Sequence, residues 1–206
     1  MVAIWFSRIL STFQAFILLS ERGMNYEARS LLRIMLEISF SLVATAENKD
    51  FCYKYLEDEK IQMRKKQNVY LTLPKEIKVD GDTHDDHIRQ LNEKLKQEII
   101  DNNYAKLTTE YIAQEAKMTD HYNTLYVLLC DSVHCRVRDL QSHLMLNNDE
   151  EIERIEWGPN ISQFENELYA ANEILMISIK RVLELFGLDP LFDEFNNCCT
   201  EFSELP

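Results

Sequence analysis

The stretch SVHCRVRDLQSH, residues 132–143, gathers residue types that acid–base chemistry needs. It holds two of the five histidines, His134 and His143, together with Arg136, Arg138, Asp139 and Cys135, and Asp131 immediately precedes it. An imidazole titrates near neutral pH and works as a general acid or base once a second group orients it. Asp131, His134 and Arg138 follow one another at three- and four-residue steps, so they share one face of a helix.

A matching polar stripe lies early in the chain. The segment YEARSLLRIMLEISFSLVATAE is apolar almost all round, which predicts a central, buried helix. Yet Tyr26, Ser30, Arg33, Glu37 and Ser41 recur along it at three- and four-residue steps. A buried Arg and Glu are costly unless paired and hydrogen-bonded. Arg33 and Glu37 can pair along the helix, but the remaining guanidinium donors need further acceptors. If the two stripes meet, the bundle encloses Arg33, Glu37, Asp131, Ser132 and His134, with Glu37 or Asp131 orienting the His134 imidazole. The same set also reads as a structural ion-pair network that fixes helix register, and the residue types do not separate these readings.

The segments ARSLLRIMLE, YNTLYVLLCDSVHCRVRDL and WGPN resemble an uncharacterised, mostly bacterial all-helical domain family of unknown function. The resemblance runs from the second predicted helix to the penultimate one. It implies that Arg33, Glu37 and His134 are the family's polar positions, and it implies no known reaction. The family's company implies a setting in bacterial stress or phage defence.

Arg138-Asp139-Leu140-Gln141-Ser142-His143 resembles, in addition, the Arg-polar-x3-His motif of HEPN domains, helical bundles that include metal-independent RNases. On that alternative, Arg138 stabilises phosphate charge and His143 moves the proton of a 2′-hydroxyl or leaving oxygen. Such sites are usually completed by dimerisation. Against it stand a net charge of −13 and a five-residue spacing that does not fall on one face of a regular helix.

The elements that must position these residues are helical. Only four Gly and four Pro punctuate 206 residues, too few breakers for a loop-rich or all-β chain. The apolar spacing predicts helices over about 2–21, 26–47, 51–68, 88–102, 109–117, 121–146, 162–187 and 190–202, with "IERIEW" as a short strand. Gly23 stops the first helix, Asn25 and Asp50 cap the second and third, and Thr108 opens the short fifth. The basic end of the third suits the negative pole of its dipole. The fold class is therefore all-α: one bundle of about six to eight helices over residues 1–206, with an acidic loop at 72–87 and a connector at 147–160.

Other features narrow the function. The N-terminal apolar run is interrupted by Arg8 and Gln14, and Ile9, Phe13, Phe16 and Ile17 share a face, as in a core helix. No membrane association is expected. Five cysteines without framework spacing read as reduced thiols in a cytoplasmic protein. Cys130, His134 and Cys135 lack a CxxC pair, and the acidic loop has its Gly81 misplaced for an EF-hand, so no metal or other cofactor is expected. "LTTEYIAQEAKMTDHYNTLY" has a helix-turn-helix rhythm, but its second helix is not basic and the chain is acidic, which argues against DNA. Two function classes remain. One is a non-catalytic or regulatory interaction module with a protein partner or self-association. The other is an RNase or other hydrolase using His134 or His143, the only reading that calls for RNA.

Overall fold

A computed structural model describes residues 1–78, 82–134, 137–141, 143–156, 158–160 and 164–204, with only the backbone described at 82, 83, 138 and 139. Of the described residues, 78% are helical and one small two-stranded sheet is present among them, which makes this an all-α helical protein. Two compact units form: residues 1–47 with 109–206, and residues 48–108.

The first unit is built around α2 (Asn25–Glu47). Its near-continuous apolar surface buries Leu32, Met35, Leu36, Phe40, Leu42 and Val43 against α1 (Val2–Glu21), α5 (Thr109–Glu115), α7 (Val127–Val133) and α9 (Glu165–Phe186). A helix surrounded in this way keeps only a narrow strip for water, at Glu27 and Glu37, which is why its apolar pattern shows little periodicity. Ser39 and Ser178 meet at 3.1 Å in the α2–α9 contact, and Ser178 donates to its own Ile174 carbonyl, so both buried hydroxyls are satisfied. From α1, Ile9 and Phe16 are fully buried, and Phe16 stacks on Phe164 at 5.6 Å. Length and composition alone would also let α1 cross a membrane.

Gly23 makes the α1–α2 turn, as its position predicts. Its φ is +69°, and its carbonyl accepts from the Asn160 N–H at 2.8 Å. A Cβ there would meet the Asn160 nitrogen at 2.7 Å. Asn25 does not act as a cap: it is the first residue of α2, and its Oδ1 is buried without a hydrogen-bond partner. Asp50 occupies the N-cap position of α3 (Phe51–Thr72) but makes no side-chain cap bond; Asn48 Oδ1 instead accepts from the Asp50 N–H.

The long helix expected over 121–146 is not continuous. It starts as α6 (Thr119–His121), widens into a π-helical segment at Tyr122–Tyr126, and resumes as α7. His134 caps α7 with ψ 11°, outside helical geometry. A short α8 (Val137–Gln141) follows, and β1 (Leu144–Leu146) then pairs antiparallel with β2 (Ile152–Ile155), the strand expected in "IERIEW". An apolar run such as Leu144-Met145-Leu146 fits helix and strand equally in sequence, and the strand pairing decided between them. After α9 and its Gly187 C-cap at φ +62°, α10 (Phe192–Ser203) packs on α9, with Phe202 against Tyr169 at 5.1 Å.

The second unit is a helical hairpin of α3 and α4 (Asp82–Asp101). Lys60 pairs with Glu98 across it, and Asn92 donates to the Arg64 carbonyl at 3.1 Å. The acidic loop expected over 72–87 is mostly structured: α3 runs to Thr72, a 3-10 turn covers Lys75–Ile77, and α4 begins at Asp82. Asp85 and Asp86 sit near the N-terminal end of α4, where acidic groups complement the helix dipole, so the acidic run favours a helix start. Lys78 is almost fully buried and bonds Asp85 at 2.5 Å. Asp80 and Gly81 lie outside the described residues.

Gly23→Ala is expected to lower stability by about 1–3 kcal/mol, from left-handed strain together with the close approach of Asn160. Chemical denaturation followed by circular dichroism checks this, and a loss below the error of the measurement would refute it.

Candidate functional site

The polar stripe of α2 exists, and its centre is a cluster of three side chains. Arg33 and Glu37 pair one turn apart at 3.0 Å. The Tyr126 hydroxyl joins them: it accepts from Arg33 Nη2 at 2.8 Å and donates to Glu37 Oε1 at 2.8 Å. The guanidinium also lies 5.0 Å from the Tyr126 ring centroid, within cation–π range. Around the ring, Tyr122 stacks at 5.1 Å and Phe40 approaches edge-on at 6.2 Å. Arg33 hydrogen-bonds Cys130 as well, while its Nε is buried without a partner.

Burial disfavours the charge on Arg33, but the bond to Cys130 and the fields of Glu37 and Tyr126 outweigh it and raise its pKa above the ordinary value. Burial likewise pushes the Tyr126 phenol up to about 12. The bond and charge of Glu37 reinforce that rise, and Thr109 and Arg33 oppose it. At neutral pH the cluster is therefore a guanidinium, a neutral phenol and Glu37. Tyr126 uses its one proton and a lone pair inside the cluster. That is the bonding of a clamp between α2 and the π-helical segment.

Residue types alone put an imidazole where the phenol stands. His134 is exposed at the C-terminal cap of α7, its N–H bonded to the Cys130 carbonyl at 3.1 Å, so the expected buried His134 is corrected. Two physical reasons account for it. A π-helical turn takes more residues than an α-turn, so a wheel drawn at 3.6 residues per turn assigns the wrong faces beyond it. The helix also ends at Val133, before a His134 side chain could turn inward. Asp131 is half-buried and makes an interaction of its own. Tyr126 was missed because an aromatic inside YNTLYVLLC reads as core; its spacing of four from Tyr122 was the available signal.

The alternative residue, His143, also reaches the α2 stripe, at its other end. Its ring stacks on Tyr26 at 4.1 Å with planes 24° apart, and Nδ1 lies 3.3 Å from the Glu156 carbonyl oxygen. That oxygen only accepts, so a bond there puts the proton on Nδ1 and leaves Nε2 with a lone pair. Beside it, Arg29 lies 6.0 Å from the Tyr26 ring centroid and pairs with Glu167 at 2.6 Å; the sequence reading missed both Arg29 and Glu167. Arg138 belongs to α8, its side chain outside the described residues, as is Cys135. Tyr26 and Arg33 are separated by seven residues, or about 10 Å of helix rise. Of the stretch 132–143, the structure brings His143 to the α2 stripe; the Arg33–Glu37–Tyr126 cluster at the stripe's centre is met instead by Cys130, just before the stretch. Among the described residues, no group of three or more His, Cys, Asp or Glu is disposed to hold a metal ion.

The raised phenol pKa carries a pH signature. An unfolded tyrosine titrates near 10.0, so the stability that Tyr126 contributes is fully present below pH 10 and is lost as pH rises through about 12. Tyr126→Phe is expected to lower stability by about 1–3 kcal/mol at neutral pH by leaving Arg33 and Glu37 under-bonded. It should also flatten the alkaline fall in melting temperature between pH 10 and pH 12. Melting curves of both proteins across that range check this, and parallel pH profiles would refute it.

Comparison with known proteins adds one relationship. No curated protein and no solved structure matches the chain. A family model described as a family of unknown function (DUF5677) matches residues 1–152, which takes in α1 to α8, the Arg33–Glu37–Tyr126 cluster and His143 but not the Gly158-Pro159-Asn160 segment. With most of its length under that model, the chain belongs to the DUF5677 family, whose function is unknown.

Proposed function

We propose that the chain is a non-catalytic or regulatory interaction module whose Arg33–Glu37–Tyr126 cluster is structural. The observation that carries this reading is the closure of the cluster: the phenol donates to Glu37 and accepts from Arg33, and the imidazole that catalysis would need is exposed elsewhere. Breaking one partner of such a network leaves a buried charge uncompensated. The exposed apolar side chains Val137, Ile152 and Ile155, between 62% and 70% accessible, support a role in contacting another protein. Free thiols at Cys52, Cys130, Cys198 and Cys199 support a reducing, cytoplasmic setting.

A second reading is kept for one observation. His143 is held between a tyrosine ring and a carbonyl that favours the Nδ1–H tautomer, which suits a general base. With Arg138 in the same short segment, that geometry supports a metal-independent RNase of HEPN type.

The two readings separate in one set of variants. On the interaction reading, Glu37→Gln lowers the melting temperature by several degrees, and the purified protein does not cleave single-stranded RNA. On the RNase reading, the wild type cleaves RNA without added metal, and Arg138→Ala or His143→Ala abolishes cleavage while the circular dichroism spectrum is kept. Metal-independent cleavage lost in those variants would overturn the interaction reading.

A further inference from the structure

The β1–β2 hairpin presents its apolar face outward. Leu144 pairs with Ile155, Met145 with Arg154 and Leu146 with Ile152, so Glu153 is an extra residue in β2, a β-bulge. Directly opposed residues point to the same face of a sheet, and successive residues of β1 alternate. Leu144, Leu146, Ile152 and Ile155 therefore share one face, and Met145 and Arg154 share the other. Without the bulge, Ile152 would fall on the Arg154 face. The pairing continues to His143, whose carbonyl accepts from the Glu156 N–H at 2.7 Å, and alternation puts His143 on the Met145 face. Since His143 stacks on Tyr26, that is the face turned toward α2. The apolar face is turned away, with Leu146 52%, Ile152 62% and Ile155 65% exposed.

A two-stranded hairpin is marginal in water until a further strand or a helix packs on its apolar face. A further strand is poorly served here: β1 has three residues, and the bulge interrupts the β2 ladder, as bulges do at protected sheet edges. A helix fits. Two strands about 5 Å apart and three to four residues long offer a patch roughly 10 Å each way. That matches the diameter of one helix, about 10 Å, and two of its turns. Charge narrows the occupant further. Asp149 and Glu150 at the turn and Glu153 at the bulge are exposed, and none of the three has a charged partner among the described residues. Arg154, the one cation between residues 144 and 156, lies on the opposite face in a 3.4 Å pair with Glu156. A second copy laid on this face would bring two such sets of carboxylates together, which is repulsive.

We propose that the Leu144/Leu146/Ile152/Ile155 face is the docking site for a basic amphipathic helix of a protein partner. The apolar stripe of that helix covers Leu146, Ile152 and Ile155, which leave water at the centre of the contact. Its lysines or arginines flank the stripe and meet Asp149, Glu150 and Glu153 at the rim. The bulge creates the site by bringing Ile152 onto the same face as Ile155. The proposal rests on the interaction reading and names the partner's chemistry.

The test is fluorescence anisotropy of the full chain with a labelled amphipathic peptide of leucine and lysine, about five helical turns long, at physiological salt. The wild type is expected to bind it and not the same peptide with glutamate in place of lysine. Ile152→Thr with Ile155→Thr keeps the charge and the β-branched side chains, and should weaken binding by roughly tenfold or more. An unchanged far-ultraviolet dichroism spectrum confirms its fold. Glu150→Lys with Glu153→Lys leaves the apolar face intact and should weaken binding to a similar degree, which loss of the hairpin alone would not explain. No binding by the wild type overturns the proposal, as does binding that the threonine pair or the lysine pair leaves unmoved. Sedimentation of the wild type as a dimer that the threonine pair dissociates also overturns it, in favour of a second copy. Each of these failures leaves the interaction reading standing, since that reading falls on metal-independent RNA cleavage lost in His143→Ala.

Discussion

The first unit depends on a single constraint: α2 is packed by four other helices and still carries an arginine, largely buried, and a glutamate one turn on whose side chain keeps about a third of its exposure. The guanidinium is not tolerable in such a place without partners. An i, i+4 pair along α2 meets part of the need, and the Tyr126 phenol supplies the bridge between the two charges. The phenol extends to them from the π-helical segment Tyr122–Tyr126, and the Tyr122 ring stacks on the Tyr126 ring. A regular helix at this point would present different faces to α2 over all of its later length.

The far end of the same stripe is organised by different forces. Tyr26 gives His143 a ring to stack on, and the β1–β2 hairpin brings the Glu156 carbonyl to the imidazole. The small sheet thus gives this histidine a defined ring orientation. Gly23 has a comparable effect at the α1–α2 turn, where the absence of a side chain admits the Asn160 backbone. In each case a residue distant in sequence completes the environment of an α2 or α1–α2 position.

The hairpin of α3 and α4 is held by polar contacts more than by a core. Lys60–Glu98, Lys78–Asp85 and the Asn92 bond to the Arg64 carbonyl link its parts, and few of its side chains are buried. A two-helix unit has too little interior to depend on apolar burial alone. That leaves apolar positions of α3 facing solvent, Leu56 and Met63 among them.

Fold class, the positions of the main helices and the polar stripe of α2 were all legible in the sequence. These properties rest on local periodicity, on the scarcity of Gly and Pro, and on the cost of burying Arg33 and Glu37, none of which needs a tertiary contact to be recognised. The occupants of the stripe were not legible. Tyr126 in place of His134, the strand at Leu144–Leu146 and the stacking of His143 on Tyr26 each depend on a partner outside the local helical repeat. Helical periodicity predicts faces only while the helix stays regular, and here a π-helical turn reset it. The sequence by itself determined that a buried ion pair must be satisfied; the tertiary structure decided which group satisfies it, because that choice turns on hydrogen-bond distances that only the packed helices set.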